Sequence, residues 1–251
     1  MDRKLTCAMD IGEQLLLCGA EVHRVEGSIR RICKAFGFAR TDVFIITSSM
    51  VVTAYDQDNN PYTQTRRIFS STTDIEKIHH LNALSRKICA QPNMTEEEIR
   101  ADLQQAISGK RYPLWVEFIC YGIIAGAFTL FFGGTWTETL ISLLVGFIVR
   151  AGIMLCDRAV PSSIFYKFFS AVVATALAYG AVRLGWIGKV DMIIIGNIMT
   201  LIPGIGLTVA IRDLFTGDSI AGLLQTVEAI LTALAIAAGY FLVAALGGFA
   251  L

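Results

Sequence analysis

Two stretches of the chain place ligand-binding or titratable groups where an apolar environment makes them costly. The first is "NIMTLIPGIGLTVAIRDLFTGD", residues 197–218, which is apolar enough to cross a membrane yet carries Pro203, Gly204 and Gly206 near its middle. Pro203 has no N–H to give the carbonyl of Met199, and its ring crowds that carbonyl. Gly204 and Gly206 weaken a helix further. In hydrocarbon, freed backbone groups are tolerated only against protein or a wet cavity. Two half-helices meeting here would turn N–H groups and a positive dipole end toward an anion such as a substrate carboxylate. Asn197, Thr200 and Thr208 supply side-chain partners at neighbouring turns. The competing reading is a proline kink that only packs closely, since Pro and Gly are frequent in membrane helices.

The second stretch is "GLLQTVEAILTALAIAAG", with Glu228 inside an apolar run and Gln225, Thr226 and Thr232 nearby. An ionised carboxylate there must be paired, protonated or hydrated. A raised pKa or a polar cavity would suit a proton-coupled site. Wetting at the interface, or pairing with a partner subunit, would also satisfy it. Glu117 lies one turn into an earlier apolar run and reads as interfacial. Arg212 and Asp213 close the first stretch, Arg212 reading as an anchor at a cytosolic helix C-terminus. The candidate substrate-binding residues are therefore Asn197, Thr200, Pro203, Gly204, Gly206 and Thr208. The candidate coupling or gating residues are Glu228, Arg212, Asp213 and Glu117.

Other groups offer less. Adjacent His79 and His80 on a helix point about 100° apart and cannot both face one ion, so a metal with Cys89 is not expected. Nothing in the sequence places a base beside Ser48 or Ser49. No G-x-x-x-x-G-K or G-x-G-x-x-G phosphate loop occurs, and no cofactor or enzyme chemistry is expected. The six cysteines form no C-x-x-C pair, which suits a reducing cytosol. A formal net charge of zero gives no argument for nucleic acid.

The elements that must position these groups fall in two halves. Residues 1–113 hold 15 of the 21 Lys and Arg and 14 of the 21 Asp and Glu, so this part has a soluble composition and the remainder reads as hydrocarbon-facing. Asp10, Glu13 and Glu21 interrupt any secretory h-region. Apolar residues recur at helical spacing over 5–36, predicting one long or two consecutive helices. Strands are expected near 42–47, 50–56 and 62–68, the last two as a hairpin around Asp58-Asn59-Asn60-Pro61. Two helices follow, with capping boxes at Thr73/Glu76 and Thr95/Glu98. The expectation is an α+β domain over 1–113.

Residues 114–251 read as an α-helical domain of five transmembrane helices, near 114–132, 139–156, 164–184, 190–211 and 220–246. The fourth is broken at Pro203-Gly204. Gly217 is expected to end the helix after the break, and Asp218 or Ser219 to cap the next. Lys110, Arg111, Arg150, Arg158, Lys167 and Arg212 mark the cytosolic ends, against Arg183 and Lys189 on the other side. That puts the amino-terminal domain in the cytosol, with Arg150 snorkelling to the interface.

At these residues the chain resembles the threonine/serine exporter family. "LLLCGAEVHRVEGSIRRICKAFG" is similar to its amino-terminal helix, with Gly19-Ala20-Glu21 and Arg24-Val25-Glu26. Its membrane signature is resembled by Pro203-Gly204, Arg212-Asp213-Leu214, Gly217-Asp218, Gly222, Glu228 and Gly239. The resemblance implies a secondary exporter of small hydrophilic metabolites in the inner membrane. Fused members carry about twice as many spans and are linked to threonine and serine export. Split members pair with a small membrane subunit, some for dicarboxylates such as succinate. By that resemblance the chain is expected to be the larger subunit of a split, oligomeric transporter in a lipid bilayer, taking a small-molecule substrate. A membrane-anchored cytosolic sensor or enzyme, or a scaffolding subunit, is the alternative.

Overall fold

A computed structural model describes residues 1–69, 71–109, 112–159 and 163–247. Lys110 and Arg111 lie outside the described residues, as does the Arg158 side chain. The chain forms two compact units, Met1–Lys110 with Leu207–Thr226, and Arg111–Gly206 with Val227–Leu251.

The first unit begins with two helices, α1 (Asp2–Leu17) and α2 (Val22–Ala35). They separate at Gly19, whose φ of +80° suits a residue without Cβ. The strands β1 (Arg40–Ile46), β2 (Ser49–Tyr55) and β3 (Pro61–Arg67) form one antiparallel sheet in that order. Both neighbouring pairs are hairpins, including β1–β2, which the sequence reading did not pair. Period-2 alternation buries Met50, Val52 and Ala54 of β2, and Met50 meets the α1–α2 packing beside Ile29. The β2–β3 turn is held by Asp56, which accepts hydrogen bonds from the Asp58 and Asn60 N–H groups at 3.0 and 2.9 Å. The Asn60 side-chain amide, with these backbone bonds and the Tyr62 hydroxyl, holds its carboxyl below the usual range.

Helices α3 (Ile75–Ala90) and α4 (Glu96–Ile107) complete the amino-terminal part. The Thr95/Glu98 capping box forms as expected. The Thr73/Glu76 box does not: Asp74 is the N-cap and accepts from Lys77 N–H. Thr72 and Asp74 give their own N–H groups to the Leu17 and Cys18 carbonyls at 2.9 and 3.0 Å. That extended clamp places the first helical turn one residue later than the motif suggests. Cys33 is fully buried in this core, and burial pushes its thiol up to about 11.

The apolar half supplies α5 (Leu114–Phe131), α6 (Trp136–Ala159), α7 (Ser163–Arg183), α8 (Asp191–Met199), α9 (Gly204–Thr216) and α10 (Ser219–Leu246). Four of these, α5, α6, α7 and α10, are long and apolar enough to cross a membrane. A fifth span results if the bent pair α8 and α9 counts as one. The protein is thus a multi-pass membrane protein, mostly helical, with one small sheet.

Small residues set the helix packing of the second unit. A Cβ on Gly146 would lie 3.0 Å from the Gly122 Cα and the Tyr121 carbonyl, so α5 and α6 approach backbone to backbone. Ser142, Val145, Val149 and Ile153 form the buried stripe of α6. Thr135 and Glu138 form a reciprocal cap at its start, with Thr135 N–H donating to Glu138 at 2.7 Å and Glu138 N–H to Thr135 at 3.3 Å.

Candidate substrate site

The expected break is present. α8 ends at Met199, α9 starts at Gly204, and the two axes are bent by 58°. Met199–Pro203 abandons the α-helical ladder as the missing proline N–H requires. Leu201 N–H turns back to the Ile198 carbonyl at 2.8 Å and Gly204 N–H to the Ile202 carbonyl at 2.9 Å. α8 alone has nine residues, about 14 Å of rise, too short to span a bilayer.

The structure separates the residues that the sequence grouped around this break. Asn197 is 1 % exposed and points into the second unit. Its amide donates to Ser142 Oγ at 2.9 Å and to the Ile193 carbonyl at 3.0 Å, while Oδ1 has no partner. Thr129 Oγ1 lies 2.7 Å from Ser142 Oγ and 3.2 Å from the Met192 carbonyl. A polar chain therefore links α5, α6 and α8 inside the apolar half. Thr200 is half-buried and donates to the Asn197 carbonyl at 2.6 Å. Pro203 is half-buried, whereas Gly204, Gly206 and Thr208 are exposed. Thr208 belongs to the first unit.

Thr129 and Ser142 were missed by the sequence reading. Ser142 could have been found, because it shares a helical face with Val145, Val149 and Ile153. Thr129 carried no such signal, since its role depends on α8 crossing α5 at Gly196. A Cβ on Gly196 would lie 2.7 Å from the Ala125 carbonyl.

The candidate coupling residues fall in three places. Glu117 forms an ion pair with Arg150, whose guanidinium also sits over the Tyr121 ring, 5.5 Å from its centroid. The Arg150 side chain is only 15 % exposed and turns to Glu117. A cation in an apolar bundle gains more from a carboxylate in contact than from stretching to water. Glu228 stands on an exposed face of α10 between Leu224, Val227 and Leu231.

Arg212 and Asp213 lie in the first unit, near the end of α9. Arg212 Nη1 is 2.8 Å from Glu21 Oε1 at the N-cap of α2. This ion pair joins the two sequence motifs, Gly19-Ala20-Glu21 and Arg212-Asp213, which lie 191 positions apart. Asp213 is 1 % exposed and accepts from Gln225 Nε2 at 3.0 Å. α9 ends at Gly217, φ +97°, as expected. Asp218 N–H closes onto the Asp213 carbonyl at 2.9 Å, and the Asp218 carbonyl takes the Gly222 N–H at 3.0 Å. Among the described residues no group of three or more His, Cys, Asp or Glu could hold a metal ion.

A small α+β segment, several helices long and apolar enough to cross a bilayer and one broken helical pair together describe a polytopic membrane protein. The family described as "Putative threonine/serine exporter" matches residues 6–247, and the chain belongs to that family. It is 23 % identical over 243 residues to a threonine/serine exporter of Corynebacterium glutamicum, covering 94 % of this chain and 49 % of that protein. A "Probable succinate transporter subunit" of Klebsiella aerogenes is 24 % identical over 229 residues, covering 90 % of this chain and 86 % of that one. A "Probable threonine/serine exporter" of Mycobacterium tuberculosis is 23 % identical over 237 residues, with 94 % and 44 % covered. The chain spans about half the length of these threonine/serine exporters. No solved structure matches.

Proposed function

We propose that the protein is a subunit of a secondary exporter driven by the proton-motive force, moving small carboxylate-bearing metabolites out of the cell. The observation that carries this reading is the helix interruption between Met199 and Gly204 in a chain of the exporter family. Backbone groups freed there are the natural contacts for a substrate carboxylate, with Thr200, Pro203, Gly204 and Gly206 around it and Asn197 holding α8 from within the bundle. Threonine, serine and dicarboxylates such as succinate all carry the required group. The two kinds of relative carry printed names for one or the other.

A small membrane subunit of the same family is the proposed partner, supported by the likeness to a transporter subunit over most of that protein's length. Glu228 supports an oligomer as well. A carboxylate among exposed leucines is costly against lipid and is relieved by a polar group on a neighbouring helix. The excess of Lys and Arg near the helix ends that flank the amino-terminal domain supports a cytosolic side for that domain, and an inner-membrane location goes with the export reading. Reconstitution with the small partner tests the reading: substrate efflux above empty vesicles is expected, and none would overturn it. For Glu228, Glu228→Gln should weaken association with the partner or alter pH-dependent efflux; a variant unchanged in both excludes it from either role.

A further inference from the structure

The turn that ends α9 contains two buried carboxylate oxygens for which the described residues supply no donor. Asp213 Oδ2 is held by the Gln225 amide, but Oδ1 is buried without a partner, in a residue only 1 % exposed. Asp218 Oδ2 is likewise buried and unpartnered. The two residues are fixed close together by the backbone. The Asp218 N–H to Asp213 carbonyl bond spans five residues across a left-handed Gly217, the closure of a Schellman turn.

The charges around this pair do not neutralise it. Arg212, beside Asp213, is engaged by Glu21 at 2.8 Å. Glu21 and Asp218 both act on Asp213 as negative charges, against the opposing pull of Arg212 and of the hydrogen bond from the neutral Gln225 of α10. On the other side Glu26 of α2 faces Asp218, with Arg30 and His23 as its cationic neighbours. Arg30 is taken by Glu26 at 3.1 Å. Burial and the Asp218 charge raise the Glu26 carboxyl above its ordinary range, against the opposing pull of Arg30 and His23. Two ionised carboxylates with donorless oxygens in such a place are strongly disfavoured. One proton removes the conflict, because it cancels one of the two charges and supplies a donor within the turn.

We propose that Asp213 holds a proton on Oδ1, donated toward Asp218 Oδ2, and that this carboxyl pair is a proton-binding site of the protein. The step is balanced: a proton from water binds the Asp213 carboxylate, and returns to water when the carboxyl ionises. The site itself stands on the geometry of the turn. Its use as the coupling site for export rests on the transport reading above.

Difference infrared spectroscopy on the full chain in lipid nanodiscs tests the site without any substrate. At neutral pH the wild type should show the carbonyl stretch of one protonated carboxyl group per chain that Asp213→Asn lacks. Asp218→Asn should keep that band at a shifted frequency, because the hydrogen-bond acceptor has changed. The Asp213-dependent band should also survive in a Glu26→Gln background. A wild-type band that persists in Asp213→Asn overturns the proposal, as does a band unmoved in Asp218→Asn. If Asp213→Asn does not fold, the Asp218→Asn shift decides alone. For coupling, efflux from vesicles containing the assembled transporter should lose its dependence on the pH gradient in Asp213→Asn. Retained dependence would remove the coupling role. Wild-type vesicles without any flux would overturn the export reading while leaving the infrared result intact.

Discussion

Gly196→Ala is the sharpest test of how α8 is seated. The added methyl would fall within van der Waals contact of Thr129 Oγ1, 2.7 Å from the Ala125 carbonyl oxygen and 2.9 Å from the Thr129 backbone nitrogen. Two of these three atoms are backbone, so no side-chain rotation relieves the clash. Turning Thr129 away would break its contacts with Ser142 at 2.7 Å and the Met192 carbonyl at 3.2 Å. α8 must therefore move off α5. Overpacking of this kind costs about 1–3 kcal/mol, and a disrupted buried hydrogen bond about 1 kcal/mol more. The helix propensity gained over glycine returns about 1 kcal/mol. The net expectation is a loss of about 1–3 kcal/mol, read as a lower unfolding midpoint of the purified protein in detergent. Gly204→Ala is the matched control, because nothing lies within 4 Å of its added Cβ; it should leave stability unchanged or slightly raised. Equal stability of Gly196→Ala and wild type, or equal loss in both variants, would refute the assigned seat of α8.

Other consequences concern the ion pair and the hairpin. Glu117→Gln should lower stability by about 1–3 kcal/mol, between the costs of breaking an exposed and a buried pair, since Glu117 is 36 % exposed and Arg150 only 15 %. Adding Arg150→Gln should restore part of that loss, and a double-mutant cycle with no coupling would contradict the pairing. The Asp56 carboxyl is held low by its turn bonds, so its stabilisation is present above the unfolded carboxylate pKa and fades as pH falls through the folded one. Asp56→Asn should flatten the acid limb of an unfolding profile; an unchanged limb would exclude that linkage.

The sequence by itself determined the parts governed by local rules. Alternation along Met50, Val52 and Ala54 specified a half-buried strand, Thr95 and Glu98 specified a helix start, and Pro203 specified a break that the structure places between Met199 and Gly204. The count of apolar runs gave the candidate spans for the same reason, since length and hydropathy belong to each segment alone. Tertiary structure decided the partners. The Thr73/Glu76 motif lost to Asp74 because the Thr72 and Asp74 N–H groups were already bound by the end of α1. Arg150 turned to Glu117 because α5 and α6 pack closely enough for the two to meet. Asn197 and Thr208, eleven positions apart in one stretch, ended in different environments, the first buried against Ser142 and the second exposed. Arg212 found Glu21 across most of the chain, and the Asp213–Asp218 turn closed on a donorless pair of oxygens. Periodicity and motif spacing carry information over a few turns of chain. Which polar group meets which across 191 positions is set only when the helices pack and burial makes an unpaired group costly.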